Sequence, residues 1–196
     1  MPRRPDPTRK PELLGQILEH LRERSIATVS FRTLAEALGV STYVFVYHFG
    51  NRAQLVAEIV RGVVARHDAF FAVDAAGLDE AGFVAHLGGA WADSSSPRGR
   101  DMQRLELEAA LLEVVAGDAE GPARQDVVRW HRFVAGWLTA RGVPTAVAKQ
   151  EARIFVDAVR GMQYDVVVTA DVRRVTTAFK AHLESFVGRV PGLVGA

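Results

Sequence analysis

Phe31-Arg32-Thr33-Leu34-Ala35-Glu36-Ala37-Leu38-Gly39-Val40-Ser41, running on through Thr42-Tyr43-Val44-Phe45-Val46-Tyr47-His48-Phe49, is the stretch that decides the fold. Leu34, Ala35 and Leu38 recur at helical spacing, and Ser30 stands where an N-cap is wanted. Gly39 supplies the left-handed residue that ends the helix. Val40 plugs the core, and Ser41 is placed to cap a second short helix, Thr42 to Phe49. That helix has Phe45 and Phe49 at i and i+4 to bury, with polar groups left outward. Two short helices joined by three residues and packed on a longer preceding one make a helix-turn-helix, whose second helix enters the major groove of DNA.

Outward from this core the helical period continues. Leu14, Ile17, Leu18 and Leu21 form one stripe of a first helix over about Pro11 to Arg24. Gly50-Asn51 breaks the chain, and a long fourth helix is expected from Arg52 to Phe71. Beyond it, helices are expected over about 77–92, 101–115, 122–141, 145–169 and 171–187, with Ser94 to Gly99 as the clearest loop. The fold class is therefore all-α, with about nine helices and no strand-like alternation.

Chain length and composition bound the function. The 196 residues suit one large domain or a small domain fused to a larger one, and the absence of cysteine excludes disulfides, thiol nucleophiles and cysteine-based zinc sites. No apolar run is long enough to span a membrane. The basic, proline-rich Met1 to Pro11 leads into no apolar stretch with a cleavage site, so no signal peptide is expected and the location is read as cytoplasmic. Up to Arg52 there are eight Lys+Arg against five Asp+Glu, a net of +3 that leaves −2 for the remainder. A basic head on an acidic body suits nucleic acid at the N-terminal end. Arginine outnumbers lysine heavily, with three Lys among 24 basic residues, a compositional hint of a GC-rich bacterial genome.

The stretch Phe31 to Ser41, followed by Tyr47-His48-Phe49 and Arg52 with Leu55, resembles the TetR family of transcriptional repressors. The resemblance covers about residues 10–60 by motif, with the helix-turn-helix on Ser30 to Phe49. It implies a DNA-binding domain over 10–55 and a larger helical domain over 56–190 for ligand binding and dimerisation. It also implies residue roles. Arg32 would reach a guanine edge or a phosphate, and Ser30 and Thr33, at the start of the same helix, would bind DNA beside it. Thr42 and Tyr43 would meet base edges, Tyr47 bases or backbone, and His48 and Arg52 phosphates, with amides around Asn51 assisting. Two positions depart from the pattern: Val46 stands where a DNA-touching tyrosine is usual, and Val44 where a threonine is common. The recognition helix is thus expected to favour thymine methyl groups. For Phe45 and Phe49 ordinary packing is the reading; Tyr47-His48 admits packing on the fourth helix as well as DNA contact.

In the larger domain, Trp130, Phe133, Val134 and Trp137 lie on one helical face. Trp91, Met102, Leu105, Met162 and Tyr164 lie on neighbouring helices. Each reads singly as core; as a group they suggest an aromatic-lined cavity for a small apolar effector, with Glu106, Gln163, Arg104 and His131 as its polar contacts. Phe155, Val159, Met162 and Val166, with Val175, Phe179, Leu183 and Phe186, give the last two helices apolar faces. These would form a homodimer's four-helix bundle or be buried within one chain. No HExxH, phosphate-binding glycine loop or nucleophile elbow is present. The expectation is a non-enzymatic, homodimeric repressor of double-stranded operator DNA, with no cofactor, metal or membrane partner. An all-helical enzyme or metal carrier, and a helical ligand-binding or interaction protein that binds no DNA, are the alternatives.

Overall fold

The computed structural model describes residues 8–118 and 120–194. The expected readings of Met1 to Pro7 lie outside them. The chain is 83% helical, with ten helices and no strand among the described residues. The helices are α1 (Arg9–Leu21), α2 (Phe31–Leu38), α3 (Thr42–Phe49), α4 (Arg52–Ala65), α5 (Asp68–Phe71), α6 (Glu80–Ser95), α7 (Pro97–Ala116), α8 (Pro122–Thr139), α9 (Thr145–Thr169) and α10 (Val172–Leu193). No helix among the described residues is long and apolar enough to cross a membrane.

The chain divides into two compact units, one of residues 1–66 and 105–123 and the other of 67–104 and 124–196. In the first, α1 packs on α4 and α2, and α3 packs on α2 and α4. Leu13, Ile17, Leu21, Ile26, Leu34, Phe45, Phe49, Leu55, Ile59 and Val63 fill its core. Gly39 takes φ 65°, a backbone that costs glycine little, and this sharp exit lets α3 turn back across α2.

The second unit is built on aromatic rings. Phe83 stacks on Trp137 at 3.8 Å, Trp91 on Phe179 at 4.4 Å, and Phe155 meets Phe186 at 4.3 Å. Helices α9 and α10 are joined through Ala170, the one non-glycine described residue with positive φ, at 56°.

Four expectations need correction. The fourth helix does not run unbroken to Phe71: it ends at Ala65, and α5 begins only at Asp68. No glycine or proline marks this break. It coincides with side chains recruited to tertiary partners, Arg66 to Glu106 and His67 to Asp126. The loop expected over 94–99 shrinks to Ser96, because Ser96 accepts from the Gly99 N–H at 3.0 Å and Pro97 opens α7. At this corner a Cβ on Gly99 would collide with the Asp93 carbonyl oxygen. The last helix continues past Val187 to Leu193, with Pro191 inside it. Finally, Phe155, Val166, Val175, Phe179, Leu183 and Phe186 are buried within the chain's own core, so these faces are not available to a partner.

Candidate nucleic-acid interface

Local capping sets the geometry of the helix-turn-helix. Ser30 Oγ accepts from the Thr33 N–H at 3.1 Å, and Thr33 Oγ1 accepts from the Ser30 N–H at 3.1 Å, a reciprocal capping box. Asn51 and Gln54 do the same for α4, at 3.0 and 3.1 Å. These four side chains therefore order the backbone at the two helix starts. Ser41 is extended but makes no side-chain cap, contrary to expectation; its carbonyl accepts from Val44 N–H instead.

Helix α3 presents two unlike faces. Phe45 and Phe49 are buried, with Phe31 stacked on Phe45 at 6.1 Å. On the other side Tyr43 is 71% exposed, Val46 47% and Tyr47 58%. The Tyr43 and Tyr47 rings lie 6.4 Å apart, and half-buried His48 packs edge-on to Tyr47 at 4.9 Å. Thr42 is exposed at the helix start, and Arg32 is exposed on α2, 3.7 Å from Glu36. Such a face offers hydroxyls, methyl groups and ring edges in one row, the repertoire that reads base edges and thymine methyls.

Arg52 is exposed at the start of α4. Its Nε donates to the Val29 carbonyl at 2.8 Å and its Nη2 to the Ala27 carbonyl at 3.0 Å. It ties α4 to the short 3-10 turn Ile26–Thr28 that leads into α2.

A shallow cleft of about 420 Å³ opens between α1, this turn and α2, floored by Leu21, Val29 and Leu34 and rimmed by His20, Arg24, Thr28, Thr33 and Glu36. Burial, with Arg24 adding to it, holds the His20 imidazole below its ordinary pKa.

Of the residues expected at an effector cavity, Leu105 and Glu106 belong to the first unit and the rest to the second. Glu106 is buried and pairs with Arg66 at 2.7 Å. Trp91 is buried and donates to Thr176 Oγ1 at 2.9 Å; Trp137 is buried and donates to the Leu78 carbonyl at 3.2 Å. Phe133 is buried, and half-buried Trp130 lies 4.3 Å from the Phe70 ring. Met102 and Met162 are half-buried, and Gln163 accepts from Gln103 at 3.5 Å. His131 faces Asp157 at 3.1 Å.

Sequence reading missed Asp126. It is 1% exposed and its Oδ2 meets His67 Nδ1 at 3.1 Å, Trp130 Nε1 at 3.1 Å and Arg160 Nη2 at 3.3 Å, beside the Phe70–Phe71–Trp130 cluster. Its Oδ1 is buried with no hydrogen-bond partner among the described residues. Nothing in the local pattern of α8 marks this aspartate as buried. The one usable signal was the surplus of aromatic residues around it.

Residues 13–59 match the family model described as bacterial regulatory proteins, tetR family. No curated protein matches the chain.

Proposed function

We propose that this DNA-binding transcriptional regulator, whose residues 13–59 match the tetR family of bacterial regulatory proteins, is a homodimeric repressor released from a palindromic operator by a small apolar ligand. The observation that carries the reading is α3, whose buried phenylalanines fix the helix while Tyr43, Val46 and Tyr47 stay open. Thr42, Tyr43, Val46 and Tyr47 read bases. Arg32 and His48 contact base edges or phosphates, and Asn51 steadies the α4 amide terminus toward a phosphate.

Dimerisation uses the exposed faces of the last two helices. On α9, Ile154, Gly161, Tyr164 and Val168 are exposed at steps of seven, three and four residues. On α10, the exposed Ala178, Ala181, Ser185 and Gly188 follow at steps of three, four and three residues with small side chains. A 3.5-residue repeat is what a helical bundle requires, and small residues admit close approach. The effector site draws on the Trp130–Phe70–Phe71 cluster with Met102 and Met162 as adaptable walls.

Selection from a random duplex library tests the reading. The expected product is a palindrome with half-sites one turn apart, roughly 34–36 Å. A protein that enriches no sequence overturns it. In sedimentation the wild type is expected to be a dimer and Tyr164→Arg a folded monomer; a wild-type monomer at micromolar concentration removes the dimer. Apolar compounds that quench tryptophan fluorescence are expected to weaken operator binding about 5- to 150-fold, and unchanged binding with every such compound removes ligand release.

A further inference from the structure

The turn before α2 is held from both ends. Glu108, on α7, accepts at one carboxylate oxygen from the Ile26 N–H at 2.7 Å and from Ser25 Oγ at 2.9 Å. Arg52, on α4, donates to the carbonyls of Ala27 and Val29. An anion thus sits at the amide end of the 3-10 turn and a cation at its carbonyl end, each matching the local dipole. The loop of contacts closes through Arg66 at the end of α4, which pairs with buried Glu106 two residues before Glu108. Helix α7 belongs to the second unit up to Arg104 and to the first from Leu105 onward.

We infer that Glu108 is a positioning residue for the recognition helix, acting through the Ser25–Val29 turn, so that α7 governs DNA binding directly as well as through α4. The inference rests on the DNA-binding reading above. Ser30, the N-cap of α2, follows the turn immediately, and α2 carries α3 through the fixed Gly39 exit. A shift of Glu108 therefore reaches the start of α2 along four residues of clamped backbone, and α3 moves with α2. Hydrogen bonds to a charged acceptor are strong and lose strength steeply with distance and angle. Arg52 becomes the second jaw of this clamp, where sequence reading gave it a phosphate.

The test uses the full chain and a duplex selected from a random library by the wild-type protein. E108A is expected to bind that duplex about tenfold more weakly or worse. Its salt dependence is expected to stay unchanged, because no phosphate contact is lost. Amide exchange at Ile26 and Ala27 is expected to quicken while Ile17 and Ile59 keep their protection. E108Q, which retains an oxygen acceptor, recovers most of the affinity. R52K keeps the charge but carries its donors on one nitrogen instead of on the separate Nε and Nη2 that reach the two carbonyls, so it is expected to fall with R52A. Wild-type affinity in E108A overturns the inference, as does loss of protection throughout α1 and α4, which makes Glu108 a folding residue only. Rescue by R52K with a flattened salt slope in R52A overturns the clamp by returning Arg52 to a phosphate. Failure of the wild type to select any duplex overturns the DNA-binding reading itself, and the inference with it.

Discussion

Helices α3 and α8 carry aromatic residues at the same helical spacing and use them in opposite ways. On α8, Phe133 and Trp137 are buried, and both indole N–H groups of the helix are donated, Trp130's to Asp126 and Trp137's to the Leu78 carbonyl. On α3, Tyr43 and Tyr47 stand open, and neither hydroxyl has a hydrogen bond among the described residues. Periodicity alone does not separate the two cases. The fate of the polar atom on the ring does, because a buried N–H must be paired whereas an exposed hydroxyl can wait for a partner.

The contrast is broken most severely at Trp137. Trp137→Ala removes the ring stacked between Phe83 and the Arg141 guanidinium, and is expected to destabilise the protein by about 3–5 kcal/mol, read as a fall in thermal midpoint. A midpoint near wild type would mean that the ring lines a void. Tyr43→Ala is the mirror image. Stability should stay within roughly 0.5 kcal/mol of wild type, while affinity for one base position of the selected duplex shifts by about 1–3 kcal/mol. Equal loss on all sequences would make Tyr43 a backbone contact.

A smaller effect is expected at Glu58. The Lys10 ammonium, 2.6 Å away, holds its carboxyl below the ordinary range, with Arg61 helping and partial burial opposing. A lowered folded pKa gives stability that is present above the unfolded value of about 4.3 and is lost as pH falls through the folded one. The contribution is up to about 1 kcal/mol for a partly exposed pair. In acid titrations monitored by circular dichroism, Glu58→Gln is expected to be less stable than wild type at pH 7 and to converge with it in acid. Parallel curves would show that the pair contributes nothing. Smallest is Ala170→Gly, which relieves a left-handed alanine and should stabilise by a few tenths of a kcal/mol, because glycine's greater unfolded entropy offsets much of the gain.

The helix-turn-helix was legible because its signals are local. Ser30, Gly39 and Gly50 mark boundaries within a few residues, and α2, α3 and α9 begin and end where the pattern puts them. The α4–α5 break was not legible, since the partners of the side chains at it, Glu106 and Asp126, lie 40 and 59 residues away. Ser96-Pro97 reads equally well as a loop or as an N-cap with a first-turn proline, and only the Ser96 hydroxyl on Gly99 decides. Glu108 looks like any surface glutamate until Ser25 is brought to it across 83 residues. Of the two readings of the apolar α9 and α10 faces, burial within one chain holds, because the more apolar face of each helix is the one a single chain buries first.

The two carboxylates of α7 also fix the phase of that helix within the first unit. An α-helix advances about 100° per residue, so one residue inserted between Glu106 and Glu108 turns the remainder of the helix by that angle. Ala109, fully buried, would then swing out of the core, and Glu108 would rotate away from Ser25 while Glu106 keeps Arg66. Four inserted residues, slightly more than one turn, nearly restore the phase and lengthen the helix by about 6 Å. This stretch of α7 therefore behaves as an indexed shaft, with its zero set at Arg66 and its reading taken at Ser25.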